Sequence, residues 1–239
     1  MVLIGAGGVS HDELHKLADK YLGKLPTSSD PMRLGESTKR QTEFTGSEVR
    51  IRDDTKSSAH IAIAFEGVPF SSPDYYPMMV MQSIMGNWDR SLGANSVLSS
   101  KFSSIVSEYN LANSFMSFSS NYSDTGLWGC YLVSENLLQL DDLTHFLMKE
   151  WRRMSQSPLQ GEVERAKSQV RSALLLGVDG TTAITEDIGR QVISLGRVVD
   201  PAEVEAKIQA VTARDIKDVA QKYLWDRDVR RSSRAVSLC

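Results

Sequence analysis

Two pairs of short alternating segments, separated by stretches of helical periodicity, constrain this chain more than any other feature. In the first pair, Glu48-Val49-Arg50-Ile51-Arg52 alternates as a half-buried strand does. Residues 59–65 then set Ile61, Ile63 and Phe65 on one face and His60, Ala62 and Ala64 on the other. In the second pair, residues 114–120 carry Phe115 and Met116/Phe118, and residues 127–133 follow the turn tripeptide Asp124-Thr125-Gly126. That chemistry predicts an antiparallel hairpin. Paired strands cannot be laid out as the strict strand–helix alternation of a doubly wound parallel sheet. The fold class is therefore α+β, an antiparallel or mixed sheet packed by helices.

The helices are read from 3–4 spacing. One starts after Pro73-Asp74 and runs through Met78, Met79, Gln82 and Ile84 to Gly86, with Pro77 in its first turn. A polar loop over 87–96 leads to a helix near 99–108. Asp141 or Asp142 caps a strong amphipathic helix with Leu143, Phe146, Leu147, Trp151 and Met154 along its face. Further helices begin at Glu162, Thr182 and Asp200-Pro201-Ala202-Glu203, the last with a capping box and proline at the first helical position. The same grammar recurs at both ends of the chain. Ser10 and Glu13 form a capping box before Leu14, Leu17, Ala18 and Tyr21, and Thr212 and Asp215 cap Ile216, Val219, Ala220 and Tyr223.

Composition narrows the function classes. With 41% hydrophobic and 24% charged residues the chain is globular rather than disordered, and 239 residues suffice for one large or two small domains. A net charge of −3 with no basic stripe argues against a nucleic-acid partner. No apolar run approaches the ~20 residues of a transmembrane segment. Two cysteines, Cys130 and Cys239, do not make a disulfide framework, so a reducing compartment is expected.

Candidate chemistry is sparse. His11 and His15 share a helix face at i and i+4, but Glu13 points away from them and Asp12 is one methylene short, so surface positions are preferred over a metal site. Gly5-Ala6-Gly7-Gly8 follows a short apolar strand, but the third glycine of a dinucleotide fingerprint is replaced by Ser10; it reads as a plain turn. His60 and His145 read as structural, and no G-x-S-x-G elbow occurs. Glu162/Glu164 and Glu186/Asp187 are helix acids before they are acid/base pairs. Met78, Met79, Met81 and Met85 read as the core stripe of a helix. No catalytic, cofactor-binding or metal residue is assigned.

More specific patterns stand in the middle of the chain: Gly86-Asn87-Trp88-Asp89-Arg90, then Leu111-Ala112-Asn113-Ser114-Phe115-Met116-Ser117-Phe118, then Tyr122-Ser123-Asp124-Thr125-Gly126-Leu127-Trp128-Gly129. Glu164-Arg165-Ala166-Lys167 and Glu186-Asp187-Ile188-Gly189-Arg190-Gln191 follow downstream. From residue 1 to about Val229 these closely resemble the C-terminal half of the β-subunit family of the mitochondrial processing peptidases. That family belongs to the pitrilysin-type (inverzincin) zinc metallopeptidases, and the core proteins of the respiratory bc1 complex are near relatives.

The resemblance implies two related α+β halves joined by a linker. Residues 1–25 would be the last strand and helix of the first half, 26–47 the linker, 48–229 the second half, and 230–239 a solvated Arg/Ser tail standing where the family has a core strand and helix. It places the H-x-x-E-H zinc helix and a distal glutamate in the first half, upstream of residue 1, so His11 and His15 inherit no role and this chain carries no zinc. Single-chain relatives carry a substrate-binding Arg and Tyr that by register fall near Val106 and Asn113, where neither residue is present. What the resemblance implies for function is a noncatalytic, chamber-closing half. The intact enzyme would remove presequences from imported precursors in the mitochondrial matrix, with an α subunit as partner. The alternative is a structural core subunit of the bc1 complex.

Overall fold

A computed structural model describes residues 2–26, 34–35, 42–53, 55–92, 100–225 and 230–234, the backbone alone at 92 and 230–234. Among the described residues six strands form one sheet: β1 (Glu48–Ile51), β2 (Ala59–Gly67), β3 (Asn87–Asp89), β4 (Ser114–Asn121), β5 (Gly126–Ser134) and β6 (Arg230–Arg234). Their spatial order is β1-β6-β2-β5-β4-β3. All neighbours are antiparallel except β1 and β6, which run parallel, so the sheet is mixed as expected.

The predicted hairpin is present: β4 and β5 pair from Ser114↔Val133 to Asn121↔Gly126, around the Asp124-Thr125-Gly126 turn. Helices α1 (His11–Leu22), α2 (Tyr75–Met85), α3 (Lys101–Glu108), α4 (Leu140–Gln156), α5 (Gln160–Gly177), α6 (Thr181–Leu195), α7 (Pro201–Ala210) and α8 (Ala213–Tyr223) complete the described chain.

One face of the sheet makes the core. Ile61, Ile63 and Phe65 of β2, Trp128, Cys130 and Leu132 of β5 and Phe115 of β4 point to the same side. They cluster with Met78, Met81 and Met85 of α2, Leu143, Leu147, Trp151 and Met154 of α4, and Ile216, Val219 and Ala220 of α8. Trp151 sits at the centre, edge-on to Phe65 at 5.1 Å and tilted against Trp128 at 5.6 Å between ring centroids. Phe146, expected on the same α4 face, is only half-buried and stacks on Tyr109 instead. Burial of large apolar side chains of this kind contributes roughly 1.5–3 kcal/mol each, which makes the α2–α4–α8 layer the main source of stability.

Five expectations are corrected. Residues 2–10 are not a strand, since no ladder partner for them lies among the described residues. The Ser10–Glu13 capping box does not form; Ser10 makes no side-chain cap bond, and α1, which buries none of its residues, gives that end no packed anchor. Gln139, not Asp141 or Asp142, stands at the N-cap of α4, and the two acids lie in its first turn, where the helix dipole favours them. The start of the predicted 87–96 loop is edge strand β3 followed by a 3₁₀ turn over Arg90–Leu92, because Gly86, at φ 69°, reverses the chain out of α2 straight into pairing with β4. Finally, the expected solvated tail is strand β6 over Arg230–Arg234, lying between β1 and β2. Ladder pairing uses backbone groups, so a run of Arg and Ser that shows no apolar periodicity can still fill a gap in a sheet. The remainder of the expected linker and tail, 27–33, 36–41 and 235–239, residues 93–96 of the expected loop, and residues 226–229 at the end of the expected second half lie outside the described residues.

An ion pair joins the start of α2 to the end of α8. Asp74 accepts from Lys222 Nζ at 2.7 Å and from the Tyr223 hydroxyl at 2.8 Å. Partial burial would raise the Asp74 carboxyl, but the two hydrogen bonds outweigh it and hold it below the usual carboxylate range; the same contact pushes Lys222 up to about 12. A depressed carboxylate contributes stability that is present above its unfolded value and lost as pH falls through its folded one. Because Lys222 is largely exposed, solvent screening limits the effect. Asp74→Asn is expected to lower unfolding stability by at most about 1 kcal/mol at pH 7, and the gap to the parent should close from roughly pH 4 downward. Urea midpoints at pH 7 and pH 3 check this.

Candidate functional site

The residues that sequence patterning raised for chemistry are scattered. His11 and His15 lie exposed on α1 with ring centroids 6.5 Å apart, and His15 Nδ1 is 3.4 Å from Asp19 Oδ2. Glu162 is committed to Arg153 at 2.8 Å and Glu164 to Lys167 at 3.2 Å. Asp187 accepts from Gln191 within α6. Val106 is buried in the core, while Asn113, just before β4, ties that strand's start to the end of β5 by accepting from the Glu135 backbone N–H. Among the described residues, no group of three or more His, Cys, Asp or Glu is placed to hold a metal ion. The zinc that the family resemblance implies for the intact enzyme does not fit the residues present here.

Two surfaces remain. The first is the sheet face opposite the core. His60, Ala62, Phe118, Tyr131 and Val133 are only half-buried there, and Met116 is 50% exposed. On it a short chain of hydrogen bonds runs from Ser58 Oγ to His60 Nε2 at 3.2 Å and from His60 Nδ1 to the Tyr131 hydroxyl at 2.7 Å. It has hydroxyl–imidazole connectivity, but a phenol stands where a triad has its orienting carboxylate. Its effect is to pin β2 to β5, in keeping with the structural reading of His60. The second surface is a cleft of 470 Å³ between α2 and α5, closed at one end by β3 and β4 and lined by Met79, Gln82, Ser83, Asn87, Ser117 and Gln169 together with an apolar wall from the C-terminal half of α5.

The cleft was not legible as a unit in the sequence. The methionine stripe is the one signal that touches it: Met78, Met81 and Met85 enter the core as expected, while Met79 turns outward onto the cleft wall. Its polar groups bond mainly to one another. Gln82 Nε2 donates to the Ser117 carbonyl at 3.1 Å, and Ser117 Oγ lies 2.8 Å from the Gly86 carbonyl and 2.9 Å from that of Gln82. Asn87 Oδ1 accepts from the Ser117 N–H at 3.1 Å. Ser83 Oγ reaches across to α5, 3.2 Å from Gln169 Oε1 and 3.4 Å from the Ala166 carbonyl. Among the described residues no charged side chain lines the cleft, which offers uncharged hydrogen-bonding groups.

A mixed sheet packed on one face by helices defines the chain as an α+β domain. The family model described as the Peptidase M16 inactive domain matches residues 1–170, and the chain belongs to that peptidase M16 family. Among curated proteins it is 63% identical over 229 residues to the mitochondrial-processing peptidase subunit beta of Lentinula edodes, covering 95% of this chain and 49% of that protein. It is 51% identical over 233 residues to the probable mitochondrial-processing peptidase subunit beta of Schizosaccharomyces pombe, covering 98% of this chain and 51% of the relative. Among solved structures it is similar to a chain of complex III2 from Candida albicans, Inz-5 bound, with TM-score 0.86 and 36% identity over 95% of this chain and 53% of the other. The chain spans about half the length of the curated relatives it matches.

Proposed function

We propose that this chain is the noncatalytic, chamber-closing half of a mitochondrial processing peptidase β-type subunit. In that role it works in the matrix with an α subunit, in an enzyme that removes presequences from imported precursors. The observation that carries the reading is the one-sided sheet. Its core face is filled by α2, α4 and α8, while the face bearing His60, Met116, Phe118 and Tyr131 stays partly open, as the wall of an enclosed space must. The names of the Lentinula and Schizosaccharomyces relatives support the peptidase assignment. In this layout residues 1–25 belong with a preceding half, 26–47 connect, and 48–229 form the closing domain; an α1 that buries none of its residues is consistent with a helix whose partner lies elsewhere.

The zinc helix and its general base would be supplied by the other half of the subunit, so purified chain is expected to cleave no presequence peptide, with or without added zinc. Co-expression with a relative's H-x-x-E-H half and its α subunit is expected to restore cleavage. Turnover by this chain alone, or no gain on co-expression of a folded complex, would overturn the proposal. A second reading, a bc1 core subunit without protease activity, is favoured by the likeness to the Candida albicans complex III2 chain. Copurification with respiratory complex instead of an α subunit would select it.

A further inference from the structure

The carboxamides of the α2–α5 cleft each commit one end to the protein and keep the other in reserve. Gln82 donates through Nε2 to the Ser117 carbonyl, which leaves its Oε1 as an acceptor. Asn87 accepts through Oδ1 from the Ser117 N–H, and Gln169 accepts through Oε1 from the Ser83 hydroxyl. Their Nδ2 and Nε2 groups stay available as donors, with no partner among the described residues. Met79, Ala173 and Leu174 add apolar lining beside them.

A second reserve stands where the cleft meets the sheet. Strand β3 is outermost in the strand order. The Gly86 carbonyl accepts from the Ser117 N–H at 3.3 Å, and the Arg90 N–H donates to the Asn113 carbonyl at 2.8 Å. Backbone groups of successive residues in a strand point to opposite sides, so the N–H and C=O of Asn87 turn away from β4. Asn87 therefore joins an open strand edge to a pocket of neutral amides. An extended peptide matches both: its main chain pairs with a sheet edge, and every second side chain enters the adjoining pocket. A charged side chain there would lose water and gain no counter-ion, whereas Met79 can mould itself to an apolar one. We propose that this cleft binds an extended peptide segment, by strand addition at Asn87 with an apolar side chain seated between α2 and α5. Binding is measured on this chain alone, so its failure would leave the chamber-closing reading standing.

The probe is a fluorescein-labelled peptide, Thr-Ser-Thr-Val-Leu-Val-Thr-Ser-Thr, titrated with the full chain and followed by anisotropy. Saturable binding is expected. Replacing the leucine by lysine is expected to weaken it at least ten-fold, about 1.4 kcal/mol. N-methylation of the leucine and both valines, which removes the donors for strand addition, is expected to do the same. Ala173 is exposed on α5, so Ala173→Trp fills the cleft from outside the core and is expected to abolish binding. Ala173→Glu is a second variant at the same wall, expected to reverse the preference in favour of the lysine peptide. With the leucine peptide bound, the Asn87 amide hydrogen is expected to exchange at least about ten-fold more slowly. No saturable binding up to about 1 mM overturns the proposal. So does equal affinity for the leucine, lysine and N-methylated peptides, or parental affinity in position-173 variants that keep the parental circular dichroism.

Discussion

Gly129→Ala is expected to cost about 3–5 kcal/mol of unfolding stability, the range of a severe core defect, although it adds one methyl group. Gly129 lies at the middle of β5, opposite Ala64 of β2 and Phe118 of β4. A Cβ there would drive into the Ile63 carbonyl oxygen and stand 2.8 Å from Ala64 Cα and 3.0 Å from the Ile63 carbonyl carbon. These are backbone atoms held by ladder pairing, so they cannot swing aside as a flexible side chain would. Relief requires β2 and β5 to separate at the point where the core packs against them. Gly161→Ala is the control: nothing lies within 4 Å of its Cβ in the first turn of α5, and a change between neutral and roughly 1 kcal/mol stabilising is expected. Denaturant midpoints measure both. A loss under about 1 kcal/mol at position 129 would mean that the two strands are not as tightly apposed as described.

The second large effect is expected at Arg153. Its guanidinium bridges Glu150 one turn back on α4, at 2.6 Å, and Glu162 at the start of α5, at 2.8 Å. The side chains are nearly sealed, 17% exposed for the arginine and 6% and 11% for the two glutamates. Desolvation acts to lower the Arg153 pKa, but the hydrogen bonds and charges of Glu150 and Glu162 prevail and raise it. Arg153→Met leaves two buried carboxylates near each other without their cation, which is expected to cost about 3–5 kcal/mol. Adding Glu150→Gln and Glu162→Gln should recover at least half of that, because the penalty comes from stranded charge and not from lost packing. Equal instability of the single and triple variants would assign the effect to the arginine's bulk instead.

Sequence patterning exposed the elements whose side chains carry the packing. The alternation Ile61, Ile63, Phe65 and the α4 run Leu143, Leu147, Trp151, Met154 place hydrophobic groups where the core needs them, and both are buried. Thr212 and Asp215 form their capping box because α8 is anchored by buried Ile216, Val219 and Ala220. The same motif at Ser10 and Glu13 does not close, since α1 has no buried face to hold its first turn in place. A three-residue strand is too short to show alternation, so the edge strand at Asn87–Asp89 leaves no periodic signal even though Trp88 enters the core, and the Arg/Ser run of β6 has no apolar periodicity to read. The cleft was hidden for a related reason: Gln82, Ser83, Ser117 and Gln169 are ordinary polar residues until the fold brings α2, β4 and α5 together.

The position of β6 also has a bearing on time. Strand β2, the apolar middle of the sheet, takes β6 as one of its two neighbours, with Ala64 paired to Arg230. During synthesis at about 5–20 residues per second, β2 must wait roughly 10–30 s for that neighbour to be made. For that interval its backbone amides and carbonyls face outward on one side, in a strand whose side chains favour association. A nascent chain of this protein is thus most exposed to wrong pairing before β6 arrives, and a chaperone that shields β2 until then would protect the sheet.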